Sequence, residues 1–169
     1  MIEAKRLIGA ALLLTTLTAS TALLAHSDKR ESAQASPGEV IKEQKAWGIA
    51  GDRDQVSRTV TVGMDDRMRF TPEILEIEQG ETIRFMIANQ GQMLHEFVLG
   101  TRADLDAHAA LMAKFPGMEH DEPYMAHVAP GSSAEIVWTF NRAGQFEFAC
   151  LIAGHYQAGM LGQIRVLAE

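Results

Sequence analysis

From Arg58 onward, apolar residues recur at every second position in a series of short runs. Val60 and Val62 alternate with Thr59 and Thr61; Ile83, Phe85 and Ile87 alternate with polar Thr82 and Arg84. Ile136, Trp138 and Phe140 alternate with Val137 and Thr139, and Phe146 and Phe148 flank Glu147. A period of two, rich in β-branched and aromatic residues, predicts half-buried strands. Met93 to Leu99 is also strand-like, and Gly162 to Leu167 reads as a closing strand. Gln79-Gly80, Asn89-Gln90-Gly91, Pro130-Gly131 and Ala143-Gly144 supply turns between runs. One segment breaks the alternation. Arg102 to Phe115 places Leu105, Ala109 and Met112 on one helical face and stops at Pro116-Gly117. Several short strands with one inserted helix predict an all-β sandwich.

The N-terminal part follows different rules. Lys5 and Arg6 precede an apolar or small stretch, Leu7 to Ala25, interrupted only by Thr and Ser. A basic start, an apolar centre and a small-residue end predict a signal peptide over residues 1–25, with cleavage after Ala22 or Ala25. A membrane anchor is the competing reading, but the Thr and Ala content favours a removable leader, with no stable membrane insertion of the mature chain. Residues 26–57 are mostly polar and predict a mobile extension, docking through Trp47 and Ile49. The remaining residues, 58–169, have the length of one domain with one core.

Charge narrows the partners. The chain carries a formal charge of −7; residues 1–25 contribute Glu3, Lys5 and Arg6, a net +1, so the rest carries −8. An acidic exported chain is a poor match for nucleic acid or anionic membrane.

Export also makes the cysteine count informative, because thiols in an oxidising compartment normally pair. This chain has 1 cysteine. A thiol that cannot pair within its chain points to intermolecular pairing or to a reactive or ligating role. Cys150 opens the run Cys150-Leu-Ile-Ala-Gly-His155-Tyr-Gln-Ala-Gly-Met160, and His95 lies on the upstream strand. Cys150 follows Phe146 and Phe148 on the same side of its strand, which aims the sulfur at the core. One thiolate, two imidazoles and a weak axial thioether are the donors of a blue-copper site, so His95, Cys150, His155 and Met160 are the candidate ligands. Taken singly, each has a plainer reading: an inert buried cysteine, a loop or edge histidine, a core methionine. Zinc is the alternative metal, but it favours further thiolates over a thioether. A second, weaker site for cuprous ion is expected from Met118, His120, Met125 and His127, with His108 and Met112 nearby. Cleavage after Ala25 would also pair the His26 imidazole with a free amine.

Across residues 58–169 the chain resembles the cupredoxin family of plastocyanin and azurin. The segment Phe148 to Gly162 and the histidine at the upstream strand carry the likeness. His95-Glu96-Phe97-Val98-Leu99-Gly100 and Pro116-Gly-Met-Glu-His120-Asp-Glu-Pro123 look like periplasmic cupredoxins associated with copper tolerance. The resemblance implies a Greek-key β-sandwich holding one copper through His95, Cys150, His155 and Met160. Two departures are present: four residues separate Cys150 from His155, where plastocyanin-like loops have two, and Glu96 stands where many carriers have Asn. A carboxylate there would alter hydrogen bonding around the metal.

Two functions follow as expectations. One is periplasmic copper handling and tolerance through one-electron chemistry. The other is a soluble carrier delivering electrons to a redox protein, with the His155 edge framed by Leu94, Ala153, Tyr156 and Ala158. The chain is expected to be a monomer, and no nucleophile with a paired base suggests an enzyme.

Overall fold

The computed structural model describes residues 42–116 and 120–168. Two five-stranded sheets face each other. The first runs in the order β1 (Ile49–Ala50), β8 (Ser133–Thr139), β5 (Thr82–Asn89), β2 (Arg58–Asp65) and β3 (Arg69–Thr71). The second runs β4 (Ile74–Glu78), β10 (Leu161–Leu167), β9 (Gly144–Ala149), β6 (His95–Gly100) and β7 (Met125–Val128). Neighbours pair antiparallel except β2 with β5 and β4 with β10. The chain crosses between the sheets repeatedly, so residues distant in sequence share one interior.

The alternation seen in the sequence becomes burial. Ile83, Phe85 and Ile87 are fully buried, as are Phe97, Phe140 and Phe148. Each such side chain contributes roughly 2 kcal/mol through removal of apolar surface from water. Phe97 stacks on Phe148 with centroids 5.1 Å apart, and Phe70 meets both rings edge-on. These aromatics join β3, β6 and β9 across the interior. At Gly162 only a hydrogen fits, since a Cβ would lie 2.1 Å from the Phe148 ring.

The packed fold starts earlier than the expected boundary at Arg58. Trp47 is buried, its carbonyl accepts from the Trp138 indole at 2.9 Å, and its ring meets Tyr124 edge-on. Ile49 and Ala50 pair with Thr139 and Trp138 as an edge strand. The stretch 42–57, expected to be mobile, is therefore part of the sandwich. One large aromatic side chain outweighs the polar composition around it. The expected leader, His26 and the rest of the extension lie outside the described residues.

Among the described residues the one long helix, α1 (Arg102–Lys114), matches the expected segment. Thr101 caps its start by accepting from the Asp104 amide, and the Phe115 amide closes onto the Leu111 carbonyl. Leu105, Ala109 and Met112 pack on the outer face of the second sheet, forming a smaller core with Val98, Met125, Ala149 and Leu151. Among the described residues, no helix is long and apolar enough to cross a membrane.

Candidate metal centre

Three donor side chains, those of His95, Cys150 and His155, converge at one end of the sandwich. Phe146 and Phe148 point inward from β9, and Cys150 continues on that side with no exposed surface. The loop that follows folds back on itself. The Cys150 amide donates to the Met160 carbonyl, the Met160 amide to the His155 carbonyl, and the His155 amide to the Ile152 carbonyl. Gly154 and Gly159 adopt φ of 93° and 87°, left-handed turns that glycine enters without steric cost. Arg69 ties the loop to β3 through the Ala158 and Gly159 carbonyls at 3.2 and 3.3 Å. Tyr156 fastens its far side to α1, donating to Asp106 at 2.6 Å and accepting from Arg102 at 3.1 Å.

Within this frame the donors of His95, Cys150 and His155 lie within 4.8 Å of one another. Cys150 Sγ is 3.3 Å from His155 Nδ1, and the two imidazole centroids are 5.0 Å apart. His95 Nε2 lies 3.2 Å from Asp66 Oδ1, and His95 Nδ1 is buried without a hydrogen-bond partner. An imidazole held by one nitrogen and idle at the other, beside a thiol, is the arrangement expected of a metal ligand. Met160, at the end of the same loop, is fully buried. Soft sulfur donors with two imidazoles fit copper.

Electrostatics agree with that fit. Burial pushes the Cys150 thiol up to about 12, although the amides of Glu96 and Ile152 act against it. At neutral pH the metal-free sulfur is thus a thiol, which coordination deprotonates. Burial, helped by the neighbouring His95, holds His155 below the usual histidine range, so its imidazole is a neutral donor. The Gln92 amide, with the Met93 amide and His95, keeps Asp66 below the usual carboxylate range.

Sequence reasoning missed Asp66. It sits in the β2–β3 turn and accepts from Gln92 and Met93, so one carboxylate orders the segment leading into His95. Nothing in Asp65-Asp66-Arg67 marks that task. The Glu96 amide donates to Cys150 Sγ at 3.3 Å, and its fully buried carboxylate accepts from the Leu151 amide at 3.1 Å.

The expected second cluster is only partly assembled. His127 Nε2 lies 3.1 Å from Glu96 Oε1, and the His120 ring lies tilted against His108 with centroids 4.8 Å apart. Met125 and Met112 instead pack in the core under α1. Met118 lies outside the described residues. Burial pushes the Glu96 carboxyl up, opposed by His127, the Leu151 amide and His120. Burial, with His120 and His127, holds His108 below the usual histidine range.

Comparison with known proteins agrees with fold and chemistry. The chain is 52% identical over 120 residues to the copper-resistant cuproprotein CopI of Rubrivivax gelatinosus, covering 71% of this chain and 73% of that protein. It is 38% identical over 164 residues to the copper-resistant cuproprotein CopI of Pseudomonas aeruginosa, covering 80% and 88%. Auracyanin B superposes with a TM-score of 0.59 at 22% identity, covering 71% of this chain and 94% of that one. An azurin from Methylomonas sp. strain J superposes with a TM-score of 0.52 at 18% identity, covering 66% and 99%. The sequence model of copper binding proteins of the plastocyanin/azurin family matches residues 56–167. With that match and those relatives, the chain belongs to the plastocyanin/azurin family of copper-binding proteins.

Proposed function

We propose that this chain handles copper in the bacterial periplasm and contributes to copper tolerance through a type 1 centre. His95, Cys150 and His155 would hold the ion, with the Met160 thioether as a weaker donor. The observation that carries this reading is the meeting of one buried thiol and two imidazoles within 4.8 Å. The copper-resistant names of the relatives favour handling as the cellular role, and the leader-like residues 1–25 favour export. Bound copper supplies one-electron chemistry; the chain supplies a rigid, dry donor set that suits both oxidation states. Binding and electron exchange, not turnover of an organic substrate, are the activities of this reading.

A second reading is electron delivery to a redox partner. Met93 and Leu94 are 40% and 46% exposed beside half-buried His155, and Ala153 and Ala158 are exposed on the same loop. That apolar rim suits transient docking.

The test is copper content and visible spectrum of purified wild type and Cys150→Ser, together with survival of a deletion strain under copper stress. An intense band lost in Cys150→Ser, and a copper-sensitive strain rescued only by wild type, are expected. A band that survives Cys150→Ser overturns the centre. Unimpaired survival of the deletion strain leaves electron delivery as the function.

A further inference from the structure

The strand that presents His95 to the copper end presents its next residue to the opposite face. Phe97 belongs to the main core and Val98 to the smaller core under α1, so successive side chains of β6 serve different sides of the sheet. Glu96 lies with Val98, away from Cys150. The β6–β7 register sets Glu96 opposite His127 and Val98 opposite Met125. His108 projects from α1 between the buried positions Leu105 and Met112, and His120 follows the helix with its ring against His108.

This pocket carries more unmet polar groups than an ion pair needs. Glu96 is fully buried, and its Oε1 has no aligned hydrogen bond although His127 Nε2 is 3.1 Å away. His108 Nε2 and His120 Nδ1 are likewise shut off from solvent without partners. Leu105 and Met112 of α1 share a small core with Val98 and Met125, so His108, with the His120 ring against it, lies over the side of the sheet that carries Glu96 and His127. Buried charges and idle polar atoms persist when they pair or coordinate metal.

We infer that Glu96, His108, His120 and His127 form a second metal site that takes cupric ion on the far side of the sheet from Cys150. Imidazole and carboxylate donors suit cupric ion, which leads the divalent first-row metals in affinity for such sets. The expected cuprous site needed thioethers, but Met125 is committed to the apolar core. Among the described residues, donors already gathered within 4.8 Å occur only at the Cys150 centre. The second site closes by rotation of the His108 and His120 rings toward Glu96 and His127. This inference does not depend on the type 1 reading, because it uses none of that centre's ligands.

The experiment is titration of the purified metal-free chain with Cu2+, read by equilibrium dialysis, metal analysis, and electron paramagnetic resonance. Wild type should bind two cupric ions, one of which gives no intense visible band and shows hyperfine coupling to imidazole nitrogen. Cys150→Ser should lose the visible band and keep that second ion. The double variant His108→Ala/His120→Ala should keep the visible band and lose the second ion. His108 and His120 lie outside the sandwich core, so this variant should retain its fold, checked by the unchanged band. Binding of one ion only by wild type, or persistence of the second in the double variant, overturns the inference. Loss of the band-forming centre alone would instead count against the proposed function and leave this site standing.

Discussion

His95 is held from behind: its Nε2 lies 3.2 Å from Asp66 Oδ1, while the same carboxylate gathers the Gln92 and Met93 amides. The contact restrains the ring and leaves its buried Nδ1 without a partner before any metal arrives. Asp66→Ala should therefore weaken copper retention by about 10- to 100-fold, the usual cost of losing a partner behind a ligating histidine. Competition with a chelator measures it. Wild-type retention would mean that Asp66 orders only the turn.

Met160 should tune the centre more than hold it. It is fully buried, and leucine is close to it in volume, so Met160→Leu should cost less than about 1.5 kcal/mol of stability. Copper should stay, with a displaced visible band and a changed reduction potential. Complete loss of copper in this variant would make the thioether a principal ligand.

The metal-free chain should be folded. Trp138 and Phe85 are buried in β8 and β5, and Phe140 just beyond β8, all in segments that owe nothing to the Cys150 loop. Cooperative unfolding without metal is expected, with copper raising Tm because it binds the native state. At a free copper concentration 100 times Kd the gain is about 2.7 kcal/mol, on the order of 10 °C. Calorimetry of both forms tests this, and an unfolded metal-free chain would make the metal structural.

Copper uptake should release a proton. The folded thiol is pushed up to about 12, so at pH 7 it carries its proton and must lose it to coordinate. Affinity for Cu2+ should rise with pH by about one logarithmic unit per pH unit below that value. The metal-free fold has the opposite sensitivity. A thiol raised from 9.0 in the unfolded chain stabilises the fold below about pH 9, and that stability is lost as pH rises toward about 12. Cys150→Ala should show a shallower alkaline decline; equal slopes would show that burial does not hold the proton.

Much of this was legible in the sequence because the information is local. Cys150, His155 and Met160 share one loop, and the alternation through Ile83-Phe85-Ile87 and Phe146-Phe148 states which side of each strand is buried. What escaped depends on tertiary proximity. Asp66 meets His95 only because β2 and β3 turn beside the segment before β6. Glu96 meets His127 only because of the β6–β7 register, which periodicity does not specify. Trp47 was noticed as a docking residue, yet the polar residues around it hid a packed edge strand. Conversely, Met125 looked like a donor because sequence spacing does not reveal that its side chain lies under α1.

The two faces of β6 also bear on how this chain can change. Point substitutions can rebuild one face while the other is preserved, since His95 and Phe97 answer to one environment and Glu96 and Val98 to another. A single-residue insertion or deletion within His95–Gly100 has no such freedom. It would exchange the faces of every residue beyond it, sending apolar groups to the wrong core and Glu96 toward the thiol. Lineages of this fold should accordingly vary in the length of the loops flanking β6 while the strand itself keeps its length.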